Sequence, residues 1–456
     1  MSRSAIPGEP ASAHGSAQDG KRSEDRLEFR SESQAESDFR DEVRKNLPRN
    51  FAAHLAHGLF GQTGFRLINA PTFIPAFVYA LSGSDFAVGL ARGVQYFGMF
   101  LSPILGATLI EHRRRVLPIG FAVGAAMRVQ VLGIALAGMF LPDHLALIAV
   151  CSFLGLFGFF LGMQGVIFSY LMSKVIPVER RGLLMGLRNS LSGLTASGVA
   201  YIGGSYLVAE NILGNGYAVT FGLAFVLTSI GLCMLIFVKE PEPPTVREPS
   251  RLTDRLSDLP ELLRSDGAFT RYFLARALAT MGRMAVPFYF LFVRGKLDMS
   301  IGEALGLLTL AFTLAHTTTN VLWGWLADRT GFRLVFLASL CVWIGSALLL
   351  MYSVQIALVV TAFAGIGVGL GGFMLASQNM VLEFGDREDL PMRIAVANSA
   401  SELVGAIGPI VGGILASLWS YYAVFWVAIA FQLVSIACVA LFVEEPRRTR
   451  RKRLAD

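Results

Sequence analysis

Arg66 and Arg283 stand 217 residues apart, each near the middle of an apolar stretch long enough to cross a bilayer as a helix. A guanidinium at that depth costs several kcal/mol on insertion scales, so it marks a site by default. Its planar fork of N–H donors suits a carboxylate or phosphate held by paired hydrogen bonds. Polar residues flank both arginines at helical spacing: Gln62 and Asn69 around Arg66, Arg276 and Thr280 around Arg283. If the two forks converge, they clamp an anion from opposite sides. The alternative, that each is neutralised by a nearby acid or carbonyl, stays open.

Glu402 is the one acid well inside an apolar stretch, since Glu111, Glu383 and Asp328 fall near stretch ends. A lone intramembrane carboxylate can carry a coupling proton, or it can form a fixed ion pair with one of the arginines. Arg92, Arg188 and Arg276 lie near expected helix ends, within reach of headgroups by snorkelling, whereas Arg128 lies mid-stretch near Gln130. In the polar run from His316 to Asn320 the threonines can bond back to their own helix, which leaves His316 and Asn320 as candidates. Cys151, Cys233, Cys341 and Cys438 occupy four different apolar stretches without metal-ligand spacing, so they are expected to be packing residues and no metal is expected.

The elements that position these side chains follow from composition. Of 456 residues, 54% are hydrophobic and only 16% charged, and mean hydropathy is +0.56. Such a chain cannot cover itself with polar surface; the apolar windows make it an all-α membrane protein with lipid as its solvent. Twelve spans are expected, at about 51–80, 86–110, 116–140, 145–172, 182–208, 216–238, 269–293, 302–327, 332–352, 355–382, 393–418 and 421–443. Residues 1–48, rich in Ser, Ala and charge, are expected to form a disordered tail and show no signal-peptide pattern. The division is then a six-helix half at 49–238, a charged, proline-bearing linker at 239–268, a second half at 269–443 and a basic tail at 444–456. With the N-terminus inside, 31 of the 39 Lys and Arg residues fall on the cytoplasmic side, six lie within spans, and only Arg294 and Lys296 fall outside. Both tails and the linker are therefore expected in the cytoplasm. The net charge of +6 needs no nucleic-acid partner.

The halves repeat. Asn189, Ser190, Gly203 and Gly204 recur 209 residues later as Asn398, Ser399, Gly412 and Gly413; Thr63 and Arg66 recur 217 residues later as Thr280 and Arg283. Phe237-Val238-Lys239-Glu240-Pro241 is echoed by Phe442-Val443-Glu444-Glu445-Pro446. After span 8 the chain reads Gly324-Trp325-Leu326-Ala327-Asp328-Arg329-Thr330-Gly331-Phe332-Arg333, and after span 2 a weaker copy carries Glu111 for Asp and His112 for Arg. This resembles the G-x-L-A-D-R-x-G-x-R signature of the major facilitator superfamily. The resemblance, over about residues 50–445, implies two pseudo-symmetric six-helix halves that rock about a midplane site.

It also implies roles. Spans 1, 4, 7 and 10 line the cavity in that superfamily, which brings in Gln164, Gln378 and Asn379 beside Arg66 and Arg283, while Arg128 is left on a peripheral span. One arginine in span 1 and one in span 7 is also the pattern of the organophosphate:phosphate antiporters. In the signature, Gly324, Asp328, Arg329, Gly331 and Arg333, with Glu111 in the other half, are expected to gate. Asp328 can face the positive start of span 5 near Gly182 or Arg188 when the cytoplasmic side is shut, and Gly331 permits the tight turn. The Gly405 to Gly413 segment is similar to the G-P-x-x-G-G segment of drug antiporters, but span 5 has Val199 and Ala200 where Gly and Pro would stand, so that function is not carried over. The expectation is a monomeric secondary transporter of a small solute, an anion if the two arginines share it, driven by a proton or by exchange. No cofactor or enzymatic activity is expected, because neither a phosphate-binding loop nor a nucleophile–base pair is present. The Arg-rich, Ala-rich composition suits a bacterial inner membrane. A non-transporting receptor or scaffold, and a lipid flippase on the same fold, are the alternatives.

Overall fold

Helix starts are encoded locally. Ser84, Asn215 and Ser420 accept hydrogen bonds from the backbone N–H groups of Ala87, Ala218 and Ala423, and Ser300 with Glu303 closes a reciprocal capping box. These caps satisfy donors that the apolar surroundings could not. A computed structural model describes residues 14–243, 267–381 and 390–443, all helix, turn or loop. Most of the linker, the basic C-terminal tail and residues 1–13 lie outside the described residues.

The helices are α1 (His14–Asn69), α2 (Phe73–Ser82), α3 (Asp85–Ile110), α4 (Leu117–Phe140), α5 (Asp143–Val175), α6 (Val178–Ile202, continued by a π turn over Gly203–Val208) and α7 (Gly216–Met234) in the first half. The second half has α8 (Gly267–Met281), α9 (Phe288–Val293), α10 (Ile301–Thr330), α11 (Phe332–Tyr352), α12 (Ile356–Met380), α13 (Leu390–Leu418) and α14 (Tyr421–Phe442). Among the described residues, nine helices are each long and apolar enough to cross a membrane. The first, fifth and seventh crossings complete the twelve: the fifth is polar, and the first and seventh are each interrupted. α1 begins at His14, so residues 14–48 are helical where disorder was expected. The segment is charged rather than Gly- or Pro-rich, and its far end is anchored: Arg49 and Asn50 donate to the Phe237 and Lys239 carbonyls, and Asn50 Oδ1 accepts from Lys239 N–H.

Each interruption lies beside a proline, Pro71 or Pro287, which has no N–H to donate to the preceding turn. The chain leaves α1 at Asn69 and restarts at Phe73; it leaves α8 at Met281, passes through a 3₁₀ turn at Gly282–Ala285 and restarts at Phe288. Arg66 sits just ahead of the first break and Arg283 within the second.

Asn50 and the 111–116 loop come together with residues 239–240 at one end of the first half, and Arg333 meets Ala440 at an end of the second, which together mark the tail face. The two halves meet toward the opposite face. There α6 and its π turn pack on α10, with Gly204 against Gly306 and Ala209 against Gly302; α3 packs on α13, with Gly89 against Pro409 and Gly413. A side chain at Gly204 or Gly89 would collide with facing backbone, so glycine sets this close approach. The Tyr421 hydroxyl donates to Asp85 at 2.6 Å, and the Arg294 guanidinium lies 3.6 Å over the Tyr79 ring, both across the halves. Toward the tail face the contact stops. A methyl group added at Gly182, Gly186 or Gly324 would meet nothing within 4 Å, and Leu183, Leu187, Val321 and Trp325 are exposed. The halves therefore enclose a cleft that is closed at the far face and open at the tail face.

Candidate functional site

Arg66 reaches out of its own half: Nη1 donates to Thr317 Oγ1 of α10 at 2.8 Å, and His316 lies within its electrostatic reach. Arg283 reaches the other way, with its guanidinium 4.2 Å over the ring of Tyr96 on α3. The same guanidinium lies 3.9 Å from Glu402 Oε2, both side chains about one-fifth exposed. That distance is an ion-pair contact and not a hydrogen bond, and Oε2 of Glu402 has no hydrogen-bond partner. Glu402 also acts electrostatically on Arg276, whose Nη2 donates to Asn398 at 3.0 Å.

Around the first break a buried network replaces the lost helix bonds. Arg92 donates to the freed Ala70 carbonyl at 2.6 Å and to Gln95 Oε1 at 2.8 Å, and Gln95 donates to Asn69 Oδ1 at 2.9 Å. Thr72 and Thr309 hydroxyls meet at 2.6 Å across the halves. Gln62 accepts from Ser192, and Thr63 meets Thr195, tying α1 to α6. Arg92 was expected near a helix end within reach of headgroups. It is instead buried, because the far-face end of α3 is covered by α13 and leaves no headgroup to reach.

The other candidates are dispersed. Thr280 bonds back to the Arg276 carbonyl and Asn379 to that of Leu375, Gln378 is exposed, and Gln164 is buried with Oε1 unpartnered. None of these four forms a hydrogen bond with Arg66 or Arg283. Two residues now at the site, Gln95 and Tyr96, were missed. Their signal was Arg92-x-x-Gln95-Tyr96, polar at i, i+3 and i+4 on one helix face.

In the signature segment Gly331 has φ 91°, a conformation open to glycine, and caps α10 through a bond to the Ala327 carbonyl. Arg333 donates to the Val439 and Ala440 carbonyls of α14, and Arg329 lies 4.1 Å over Trp325. Asp328 is exposed, with no side-chain partner among the described residues, at the open mouth of the cleft. Glu111 ends α3, with its N–H bonded to the Ala107 carbonyl.

The sequence matches the Major Facilitator Superfamily model over residues 57–302 and 272–456. The chain belongs to the major facilitator superfamily. Solved structures with this fold include the nucleoside transporter NupG, at TM-score 0.68 and 12% identity, covering 86% of this chain and 100% of that one. A D-xylose–proton symporter matches at TM-score 0.66 and 16% identity over 86% and 97%. A bacterial homologue of the human lysosomal transporter Spinster, in an inward-facing, occupied conformation, matches at 0.63 and 13% over 86% and 97%. No curated protein matches the sequence. At these identities the likeness is one of fold.

Proposed function

We propose that this superfamily member is a secondary transporter of a small anionic solute, with Arg66 and Arg283 as its central ligands. The observation that carries this is charge: six arginines lie within the spans against one deep carboxylate, Glu402, and the two cleft arginines hold their neighbours loosely. Arg66 has a neutral hydroxyl partner. Arg283 has a ring face and a carboxylate too far for a hydrogen bond. An incoming carboxylate or phosphate would find two forks without a carboxylate hydrogen-bond partner, one from each half, and closing on it would draw the halves together.

Glu402 supplies the coupling in this reading. While charged it neutralises Arg283; once protonated it releases that guanidinium to the substrate anion, so proton and anion enter together or exchange. The open face is cytoplasmic, since the basic loops surround it, and both termini lie on the cytoplasmic side of a bacterial inner membrane, the chain acting as a monomer. The structure then corresponds to an inward-open state. Asp328 would latch onto the start of α6 only when that face shuts, which accords with its lack of a partner here. A thermal-shift screen of the purified protein against anionic, cationic and neutral metabolites tests the substrate class: stabilisation by cationic or neutral compounds alone would remove it.

A further inference from the structure

The polar run of α10 from His316 to Asn320 is sorted by its hydrogen bonds. Thr317 accepts from Arg66, and Thr318 and Thr319 bond back to the carbonyls of Leu314 and Ala315. His316 and Asn320 are half-buried, and neither forms a hydrogen bond among the described residues. They stand one turn apart on one face of α10. The contacts on either side fix where that face points. On one side Thr317 packs against Gly193 of α6; on the other, the backbone of Phe312 and His316 packs against Gly367 of α12. The face between these contacts looks into the cleft, where Arg66 reaches α10.

α12 continues the same wall. A methyl group at Gly371 would come within 3.3 Å of both the His316 ring and Asn320 Oδ1, so glycine there leaves these side chains their room. Met374 and Gln378 follow Gly371 at helical spacing; both are exposed, and Gln378 forms no hydrogen bond among the described residues. Beside the Arg66 fork, the wall thus presents an imidazole, two carboxamides and one apolar thioether. Polar side chains within a span serve an interior cavity and need a partner there. Carboxamides and a neutral imidazole both donate and accept, which is the complement of an alcohol; toward an anion only their donors are of use.

We infer that His316, Asn320 and Gln378 form a subsite for the uncharged part of the solute, which makes that solute a small hydroxylated organic anion; this rests on the reading of Arg66 and Arg283 as its anion ligands. The two arginines hold the charged group. The three polar side chains exchange hydrogen bonds with its hydroxyls, and the Met374 thioether meets its carbon skeleton. An anion without hydroxyls leaves these side chains unpaired when the cleft closes on it, and a site built to bond a hydroxyl rejects the analogue that lacks one. Inorganic anions and plain alkyl acids are selected against for the same reason.

Equilibrium binding to the purified full chain tests this with pairs matched in charge and carbon number: glycerate against propionate, gluconate against hexanoate, and glycerol 3-phosphate against propyl phosphate. In at least one pair the hydroxylated member is expected to bind tighter by about tenfold or more. His316→Phe and Asn320→Leu bring that ratio close to one and leave the Kd of the plain anion unchanged, whereas Arg66→Ala weakens both members alike. Equal binding within every pair, or an undiminished ratio in the variants, overturns the subsite and leaves the anion reading standing. If no anion of either kind binds, the anion reading falls and the subsite with it. Should His316→Phe or Asn320→Leu fail to fold, Gln378→Leu, at an exposed position of the wall, decides by the same ratio.

Discussion

The Arg283 guanidinium lies 3.9 Å from the Glu402 carboxylate and stacks on Tyr96 of the opposite half. One side chain therefore senses both the deepest acid of the protein and the interface along which the halves must slide. A contact at this distance is weaker than a bidentate bridge and can be exchanged for a better anion. That exchangeability separates a coupling pair from a structural one.

If the pair couples transport to protons, Glu402→Gln leaves Arg283 permanently free for substrate. Uphill uptake in proteoliposomes is expected to vanish while counterflow exchange continues at close to the wild-type rate. Full uphill uptake by the variant would reduce Glu402 to a structural partner.

The break in the first span makes a stability prediction. Arg92 is the donor to the freed Ala70 carbonyl, so Arg92→Leu leaves that carbonyl and Gln95 Oε1 unpaired in the protein interior. The loss is expected to be about 2 kcal/mol, the usual penalty for a buried orphaned acceptor, read as a lower thermal midpoint in detergent. An unchanged midpoint would mean that the network is incidental.

Much of this arrangement was legible in the sequence, and the remainder was obscured for definable reasons. Span number, repeat and the depth of Arg66 and Arg283 depend on apolar length and spacing, which a linear reading captures. Pro71 and Pro287 were visible, but twelve long windows favoured unbroken helices over the pair of interruptions. Distance from a helix end puts Arg92 and Arg188 within reach of headgroups, whereas their environment is set by packing: α13 covers the end of α3, and α1 with α5 encloses Arg188. The helical run from His14 escaped because charge-rich composition excludes a packed core without excluding a helix.

Asp328 has no side-chain partner among the described residues, and the proposed latch would form only when the open face closes. Asp328→Asn is expected to slow transport severalfold while leaving expression and substrate affinity near wild type, because the cost falls on the closed state alone. Unchanged transport would take the latch out of the cycle.

At the far face, Tyr421 and Asp85 hold the halves together through one short, charge-assisted hydrogen bond. Tyr421→Phe removes a contribution of about 2 kcal/mol to that closed gate. Cysteines placed beside the cleft near Tyr79 are then expected to react faster with an impermeant thiol reagent added from the far side. No change in labelling would place the closing energy in the glycine contacts of α3 and α13 instead.

The anion reading carries the most consequence. Arg66 and Arg283 are repeat-equivalent and each contacts the opposite half, so a solute bound between them would be held by both halves at once. Removing one fork should cost about 3 kcal/mol of binding, roughly a hundredfold in Kd for an anionic ligand. Arg66→Ala and Arg283→Ala are therefore each expected to abolish measurable binding. Lys at either position should rescue poorly, since it offers a point charge where a planar fork is needed. The comparison of Ala with Lys separates geometry from charge: full rescue by Lys would mean that only the local potential matters. Binding that survives both Ala variants would show that these arginines face the cleft without touching its solute.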